Sequence, residues 1–231
     1  SPDYSNPNSY KHIHFILDVR NYFDYFNSLF LNNKELSTTG DITPSYACLP
    51  IEAFEFIKKN LEEKRFNVKV IFIMRDPVYR ILSHARMIIS RYKMNQGKLI
   101  DINLQSILEN ADDHNLDNEV VRYLYNHPKC ISRTRYENTI YNLEKVFNKE
   151  DIFYSLYENL FNLETFSRLK IFLNISDLDF EKDKIIFETP KQNSQISLSD
   201  ELKKEIFQFY RNTYLFCDKR FNSGLIWDKN Y

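Results

Sequence analysis

The chain has 231 residues, with 31 Lys or Arg against 32 Asp or Glu, and its formal net charge of −1 argues against a dedicated nucleic-acid-binding protein. Hydrophobic residues make up 43% and charged residues 27%, a balance that excludes wholesale disorder. No apolar run approaches the roughly 18 residues that a membrane span needs. With 3 glycines, the sequence also excludes a site built on a glycine-rich loop.

The first third of the chain predicts alternating elements. Residues 12–16 (HIHFI) predict a short strand, and residues 19–31 place aromatic side chains at helical spacing. Residues 38–46 (TTGDITPSY) predict a loop, since Gly and Pro interrupt the pattern. Residues 51–64 have the apolar spacing of an amphipathic helix.

The clearest strand prediction is 68–74 (VKVIFIM), whose continuous apolar run is typical of a parallel strand covered on both faces. Asp76 and Pro77 then predict the N-cap and first turn of a helix that ends near Met94. The alternation predicts an α/β fold with helices on both faces of a parallel sheet, in a single domain over 1–231. Further helices are predicted at 102–110, 117–127, 132–147, 159–173 and 199–218, and a second buried strand at 152–157.

Arg75 and Ser83 are the strongest candidates for a binding site. Arg75 follows the buried strand, and ligands of such sheets bind beyond the carboxyl ends of the strands. Ser83 lies seven residues after Asp76, nearly two helical turns, and so returns to the face of the cap. A guanidinium, a hydroxyl and a helix start on one side suit a phosphate group. The alternative is that Arg75 pairs with a local carboxylate and Ser83 is a small packing residue.

Other polar residues offer weaker signals. His12 and His14 alternate on a predicted strand, so at most one is expected to face a cleft, where a pKa near 6.5 would suit a general base. Residues 132–136 (SRTRY) begin a predicted helix with two cations and an aromatic, a pattern that solvated surfaces also show. Cys48, Cys130 and Cys217 are widely spaced, which indicates neither a disulfide framework nor a zinc site.

We therefore expect reduced thiols and a cytoplasmic protein. The first residues, SPDY, lack the basic region and apolar stretch of a signal peptide.

Several segments follow one another in an order that a known enzyme family shares. They are SPDY (1–4), KHIHFI (11–16), GDITPSY (40–46), VIFIMRDPVYRILSH (70–84), SRTRYENTIYNLEKVF (132–147) and DIFYSLYENL (151–160), with a closing helix and Trp227. This order resembles that of sulfotransferases that use 3′-phosphoadenosine 5′-phosphosulfate, most closely the heparan-sulfate-type branch and its bacterial relatives. The resemblance covers nearly the whole chain.

The resemblance implies a fold and a donor site. The fold would be a three-layer sandwich with a central parallel sheet, similar to that of P-loop NTPases. Arg75 and Ser83 would hold the donor's 3′-phosphate, with Arg133 and Tyr136 beside the nucleotide. The acceptor would be a hydroxyl or amine on a glycan, a lipid or a small metabolite, and no metal is expected.

The resemblance also implies catalytic candidates, with two departures from the family pattern. The family's catalytic Glu falls at His12, which becomes the first candidate for the base, followed by His14 and Asp41. The family's glycine-rich phosphate loop precedes the segment at which this sequence starts, so we expect either an N-terminally truncated domain or one that has lost the transfer machinery. The acceptor cleft would involve Phe15, Pro44 and Tyr46, and Lys191 would approach the donor.

Two other functions compete with sulfuryl transfer. The first is a truncated sulfotransferase-like domain that binds a nucleotide or glycan without turnover. The second lies outside the family and is an interaction domain in which residues 75–77 (RDP) do no more than cap a helix.

Overall fold

A computed structural model of the protein describes residues 19–33, 36–94, 101–175 and 198–227. The predicted strand at 12–16, with His12, His14 and Phe15, lies outside the described residues, as does Lys191.

The N-terminal helices form a small aromatic cluster. Helix α1 spans Val19–Asn32 and α2 spans Ile51–Glu63, close to the two predicted helices. Between them, the predicted loop contains one 3₁₀ turn, Pro44–Cys48. The apolar face of α1 packs against the end of α2 and the segment that follows it. The residues of this cluster are Tyr22, Phe23, Tyr25, Phe26, Leu29, Ile57, Leu61 and Phe66.

The two strands pair in parallel. Strand β1 is Val70–Met74 and β2 is Ile152–Leu156, and the register pairs the first residues with each other and Met74 with Leu156. Parallel pairing requires a long crossover connection, which the helices between residues 77 and 146 supply. The described chain is therefore mostly helical, with a small parallel sheet, and belongs to the α/β class.

The two faces of β1 differ in burial. Phe72 packs against Tyr136 with ring centres 6.0 Å apart, whereas Ile71 and Ile73 on the opposite face are 41% and 38% exposed. The expectation that this strand is covered on both faces is therefore wrong for the described residues. On the same side of the sheet, Phe153 of β2 is covered by Phe172, with ring centres 5.4 Å apart.

The remaining helices follow β1 and β2. Helix α3 begins with the predicted proline and its last residue is the predicted one, Pro77–Met94. The others are α4 (Ile102–Asn110), α5 (Leu116–Leu124), α6 (Pro128–Thr134), α7 (Tyr136–Val146), α8 (Leu163–Leu173), α9 (Asp200–Phe209) and α10 (Arg211–Phe221). Short 3₁₀ turns lie at Lys149–Asp151, Tyr157–Asn159 and Ser223–Leu225.

Two predicted helices are each interrupted. The helix expected over 132–147 breaks at Arg135, whose ψ of 76° lies outside the helical region. The helix expected over 199–218 is interrupted at Tyr210, whose φ and ψ are −100° and 18°. Both expectations of one continuous helix are therefore wrong. In each case the two helical halves pack on different neighbouring elements.

The main core lies between α3, α5 and α9, where several aliphatic side chains are fully buried. They are Val78, Ile81, Ala85, Val120, Val121, Leu202 and Ile206. This core holds α3 in place beyond the carboxyl end of β1.

Candidate functional site

The carboxyl end of β1 leads into the RDP turn (residues 75–77), whose backbone is held by a buried phenol. The Tyr136 hydroxyl donates to the carbonyl oxygen of Arg75 at 2.7 Å and accepts from its backbone N–H at 3.4 Å. Tyr136 is 2% exposed, and burial raises the pKa of its hydroxyl above the ordinary value. The hydroxyl therefore stays protonated and remains a donor at neutral pH.

The Arg75 side chain has an aromatic neighbour. Its guanidinium carbon lies 4.6 Å from the centre of the Tyr157 ring, within the range of a cation–π contact. Because Met74 and Leu156 are paired in the sheet, the residues that follow them leave the strand ends side by side. Within the described residues Arg75 forms no ion pair, so the alternative of a local carboxylate partner finds no support there.

Asp76 ties the RDP turn to the C-terminal part of the chain. Its Oδ1 accepts from the backbone N–H of Val78 and from the hydroxyl of Tyr214, both at 2.8 Å, so it caps α3 as predicted. The Asp76 N–H donates to Oε1 of Glu158 at 3.2 Å. The other oxygen of Glu158 accepts from the Trp227 indole at 2.9 Å. The turn is thus fixed by Glu158 in the turn after β2 and by Tyr214 of α10, while Glu158 also binds Trp227.

Burial dominates the electrostatics of this cap. Asp76 is 1% exposed, and burial raises the pKa of its carboxyl to about 6, against the lowering effect of the bonds from Tyr214 and Val78. At neutral pH the carboxylate is still ionised in most molecules. The cap therefore carries its charge inside the protein, while the cation of Arg75 is left for other partners.

Ser83 lies on an exposed part of α3 and forms no hydrogen bond with the described residues. Seven residues of helix place it roughly 10 Å along the axis from Asp76. An extended arginine and a phosphate group together cover much of that distance. The geometry is therefore compatible with one phosphate between Arg75 and Ser83, which stays a prediction.

Asp41 is surrounded by hydroxyl groups. Its Oδ2 accepts from Tyr22 and Tyr46, each at 2.7 Å, and its Oδ1 accepts from Thr43 at 2.8 Å. The two tyrosine oxygens lie 2.6 Å apart. Burial raises the pKa of Tyr46 to about 12 and that of Tyr22 further, so both remain donors to the carboxylate. This network joins α1 to the turn that begins at Pro44.

The predicted site residues thus fall into three groups. Arg75 and Tyr136 are in contact, and Ser83 lies on the helix that the RDP turn begins. Arg133 lies on α6, where its Nε is buried without a hydrogen-bond partner among the described residues. Asp41 belongs to the hydroxyl network of the 41–46 turn. His12 and His14 lie outside the described residues, and their role as a base stays a prediction.

Sequence reasoning missed two residues that the structure adds to this site. Tyr157 contacts the guanidinium of Arg75, and Glu158 accepts from the backbone of the RDP turn. A signal was present, since a tyrosine and a carboxylate directly follow the second buried strand. Parallel pairing of the two strands, which the sequence predicts without a register, brings them to Arg75.

Within the described residues, no three His, Cys, Asp or Glu side chains come together in a way that could hold a metal ion. No helix in the described part of the chain combines the length and apolar character that crossing a bilayer requires.

Comparisons with known proteins return no match: no family model fits the chain, and neither the curated proteins nor the solved structures include a significant relative. A functional assignment therefore rests on the residues and their geometry.

Proposed function

We propose that the protein is a sulfotransferase that moves a sulfuryl group from 3′-phosphoadenosine 5′-phosphosulfate to a hydroxyl or amine of a glycan, a lipid or a small metabolite. The observation that carries the proposal is the position of Arg75. It follows β1 directly, has no carboxylate partner among the described residues, and rests on Tyr157 and Tyr136.

The donor's 3′-phosphate would bind between Arg75 and Ser83. A guanidinium gives two parallel N–H donors to a phosphate, and the serine hydroxyl gives a third. Tyr157 would hold the guanidinium in place, which lowers the side-chain entropy lost when the anion binds. Tyr136 acts as a positioning residue, since it bonds the Arg75 backbone and lies buried beneath it.

The larger fold would be the three-layer sandwich of this family. Two contacts support it: Phe72 of β1 packs on Tyr136 of α7, and Phe153 of β2 packs on Phe172 of α8. Neighbouring residues of a strand point to opposite faces, so these helices cover opposite faces of the sheet. A further strand beside β1 would extend the sheet.

The reaction would be an in-line displacement at sulfur. The acceptor oxygen forms the new S–O bond, the bond from sulfur to the 5′-phosphate breaks, and 3′-phosphoadenosine 5′-phosphate leaves. The acceptor's proton passes to a base, for which His12 is the first candidate and His14 and Asp41 follow. Positive charge near the equatorial and bridging oxygens stabilises the transition state, as in phosphoryl transfer.

A binding domain without turnover is the second candidate. The observation that favours it is the bonding of Asp41, whose two oxygens already accept from three hydroxyls. A proton taken up by Asp41 would remove the negative charge that these hydroxyls stabilise, so the network favours a structural role for this carboxylate. Both candidates share the donor site, and they differ in sulfuryl transfer.

The buried thiols of Cys130 and Cys217 are free, in line with the cytoplasmic location we propose.

Calorimetric titration of the chain with 3′-phosphoadenosine 5′-phosphate tests the shared site, with 5′-AMP as the ligand that lacks the 3′-phosphate. We expect micromolar binding of the first nucleotide and much weaker binding of the second. Equal affinity for the two, or binding of neither, would contradict the donor site. Transfer of labelled sulfate from the donor to a sugar hydroxyl would then separate the enzyme from the binding domain.

A further inference from the structure

A group of basic side chains lies where α3 contacts α6. We call Arg80, His84 and Arg133 the basic cluster. The Nε of Arg80 donates to Oγ1 of Thr134 at 2.9 Å, which ties the two helices together. His84 follows Arg80 by four residues and shares its face of α3, whereas Ser83 lies about 100° around the helix from His84.

The basic cluster has no negative partner within the described residues. Arg86, on the same helix, pairs with Asp117 at 2.8 Å, and Arg122 pairs with Glu205 at 3.0 Å. Arg80 bonds neutral groups, namely Thr134 and Cys130. Arg86 and Arg122 thus have carboxylate partners, whereas the arginines of the cluster have none among the described residues.

Two nitrogen atoms in the basic cluster are buried without a hydrogen-bond partner among the described residues. They are Nδ1 of His84 and Nε of Arg133. Leaving a buried polar nitrogen unpaired destabilises the folded protein, so native proteins nearly always pair such atoms. The side chains of both residues are otherwise half-buried, which leaves part of each at the surface.

The electrostatics agree with this geometry. Burial, followed by the charges of Arg80, Arg133 and Arg91, lowers the pKa of His84 to about 4. The imidazole is therefore neutral at pH 7 and offers one N–H donor and one acceptor. The guanidinium groups around His84 repel one another, and a bound anion would reduce this repulsion.

We propose that the basic cluster binds a tetrahedral oxyanion, a sulfate or phosphate group, between Arg133, Arg80 and the imidazole of His84. Arginine forks match the oxygens of such a group, and several charge-assisted hydrogen bonds then replace unpaired donors. The group is either a free ion or an ester carried by a larger molecule. The residues of this site are distinct from Arg75 and Ser83, which we propose for the donor's 3′-phosphate.

The proposal differs from the expectation that Arg133 contacts the donor nucleotide. If Arg133 belongs to the basic cluster, Arg133→Gln weakens binding of the oxyanion. Loss of nucleotide affinity without loss of oxyanion affinity would overturn the proposal. Failure of the donor site, by contrast, would show as nucleotide binding that Arg75→Ala does not change.

NMR of the His84 ring protons during titration with sodium sulfate tests the site, with sodium chloride holding ionic strength constant. The His84 signal is assigned by its loss in His84→Gln. We expect a saturable shift in the wild type. Arg133→Gln should weaken the affinity for sulfate by about tenfold or more, because at least one charge-assisted hydrogen bond is lost. Arg211→Gln, an exposed arginine on α10, removes the same charge and should leave the curve unchanged.

Two further arms make the result decisive. Arg133→Lys keeps the positive charge but loses the paired N–H donors of the guanidinium. Its affinity for sulfate should be lower than that of the wild type and higher than that of Arg133→Gln. This variant also provides a test if the glutamine variant folds poorly. Titration with methyl sulfate distinguishes an ester from the free ion, since a site for esters binds it at least as well as sulfate. A linear shift with both probes, or equal curves for wild type and Arg133→Lys, would overturn the proposal.

Discussion

The RDP turn and the 41–46 turn differ in the contacts that their charged side chains make. At the RDP turn, buried bonds hold the backbone of Arg75, and within the described residues its guanidinium contacts an aromatic ring and no carboxylate. At the 41–46 turn, the charged group is itself the hub, since Asp41 accepts from three hydroxyl groups. The first arrangement leaves a cation free to bind an external anion, and the second uses the anion to join a loop to a helix.

The comparison shows that the number of hydrogen bonds in a turn is a poor guide to its function, and that the groups which those bonds satisfy are the better guide. Both turns are rich in hydrogen bonds, but at the RDP turn the bonds go to the backbone of Arg75 and to Asp76. A rigid backbone with an uncompensated side chain is what a preorganised binding site requires. The bonds that satisfy Asp41 itself are typical of a structural link.

The largest expected effect is on nucleotide binding by Arg75→Ala. If the guanidinium grips the 3′-phosphate in a partly desolvated site, the substitution should cost about 2–5 kcal/mol of binding free energy. Calorimetry with 3′-phosphoadenosine 5′-phosphate measures the loss. Arg211→Ala, which removes an exposed arginine far along the chain, is the matched control and should bind like the wild type. A loss below about 0.5 kcal/mol would remove Arg75 from the site.

The next largest effect is on the stability of the protein, through the Asp76 cap of α3. Asp76→Ala should lower the free energy of unfolding by about 1–3 kcal/mol, because α3 loses its cap and Tyr214 loses an acceptor. Urea denaturation measures the change. Asp76→Asn keeps an acceptor for the cap and should lose less. Equal stability of the alanine variant and the wild type would show that the RDP turn is held by other contacts.

At the 41–46 turn, Asp41→Ala should lower the free energy of unfolding by about 1–2 kcal/mol, because three hydroxyls lose an acceptor. Thr43 and Tyr46 are partly exposed and can bond water instead, whereas Tyr22 is buried. Nucleotide affinity should stay within about twofold of the wild type. If the variant instead keeps its stability and loses sulfuryl transfer, Asp41 takes part in the chemistry and the contrast between the two turns fails.

The smallest effect is on the pH dependence of stability, where two buried groups oppose each other. Asp76 has a folded pKa raised to about 6, so the stability that it contributes is present below its unfolded pKa and is lost as pH rises through about 6. His84 has a folded pKa lowered to about 4 from 6.5, so its contribution is lost as pH falls through that window. Because the two contributions have opposite signs, the net change in the wild type is on the order of 1 kcal/mol.

Variants separate the two groups. Going from about pH 7 to about pH 4.5, His84→Gln should gain stability relative to the wild type, and Asp76→Asn should lose stability relative to it. Urea denaturation at the two pH values measures both. Parallel changes in the two variants would mean that neither group titrates in this window.

Much of the fold was predictable because local pattern and tertiary structure agree. The apolar spacing of α1 and α2, the run that forms β1 and the Asp76–Pro77 start of α3 all appear in the structure within two residues of the prediction. The breaks at Arg135 and Tyr210 were not predictable, since neither position carries glycine or proline. Each break separates two helical segments that pack on different neighbouring elements.

The candidate site was predictable in part. Arg75 was found because it directly follows a buried strand, and Tyr136 was found through its segment. The contact of Arg75 with Tyr157 depends on the register between strands 82 residues apart in sequence, a tertiary property that no local pattern encodes. The charge on Arg133 was visible, but its place beside His84 depends on how α6 crosses α3.

One measurement tests the central claim most directly: a thermodynamic cycle that combines Arg75→Ala with removal of the ligand's 3′-phosphate. The affinities of wild type and variant are measured for 3′-phosphoadenosine 5′-phosphate and for 5′-AMP. We predict that the substitution weakens binding of the first nucleotide alone, with a coupling energy of about 2 kcal/mol or more. Equal losses for both nucleotides, or no loss for either, would show that Arg75 does not hold the 3′-phosphate.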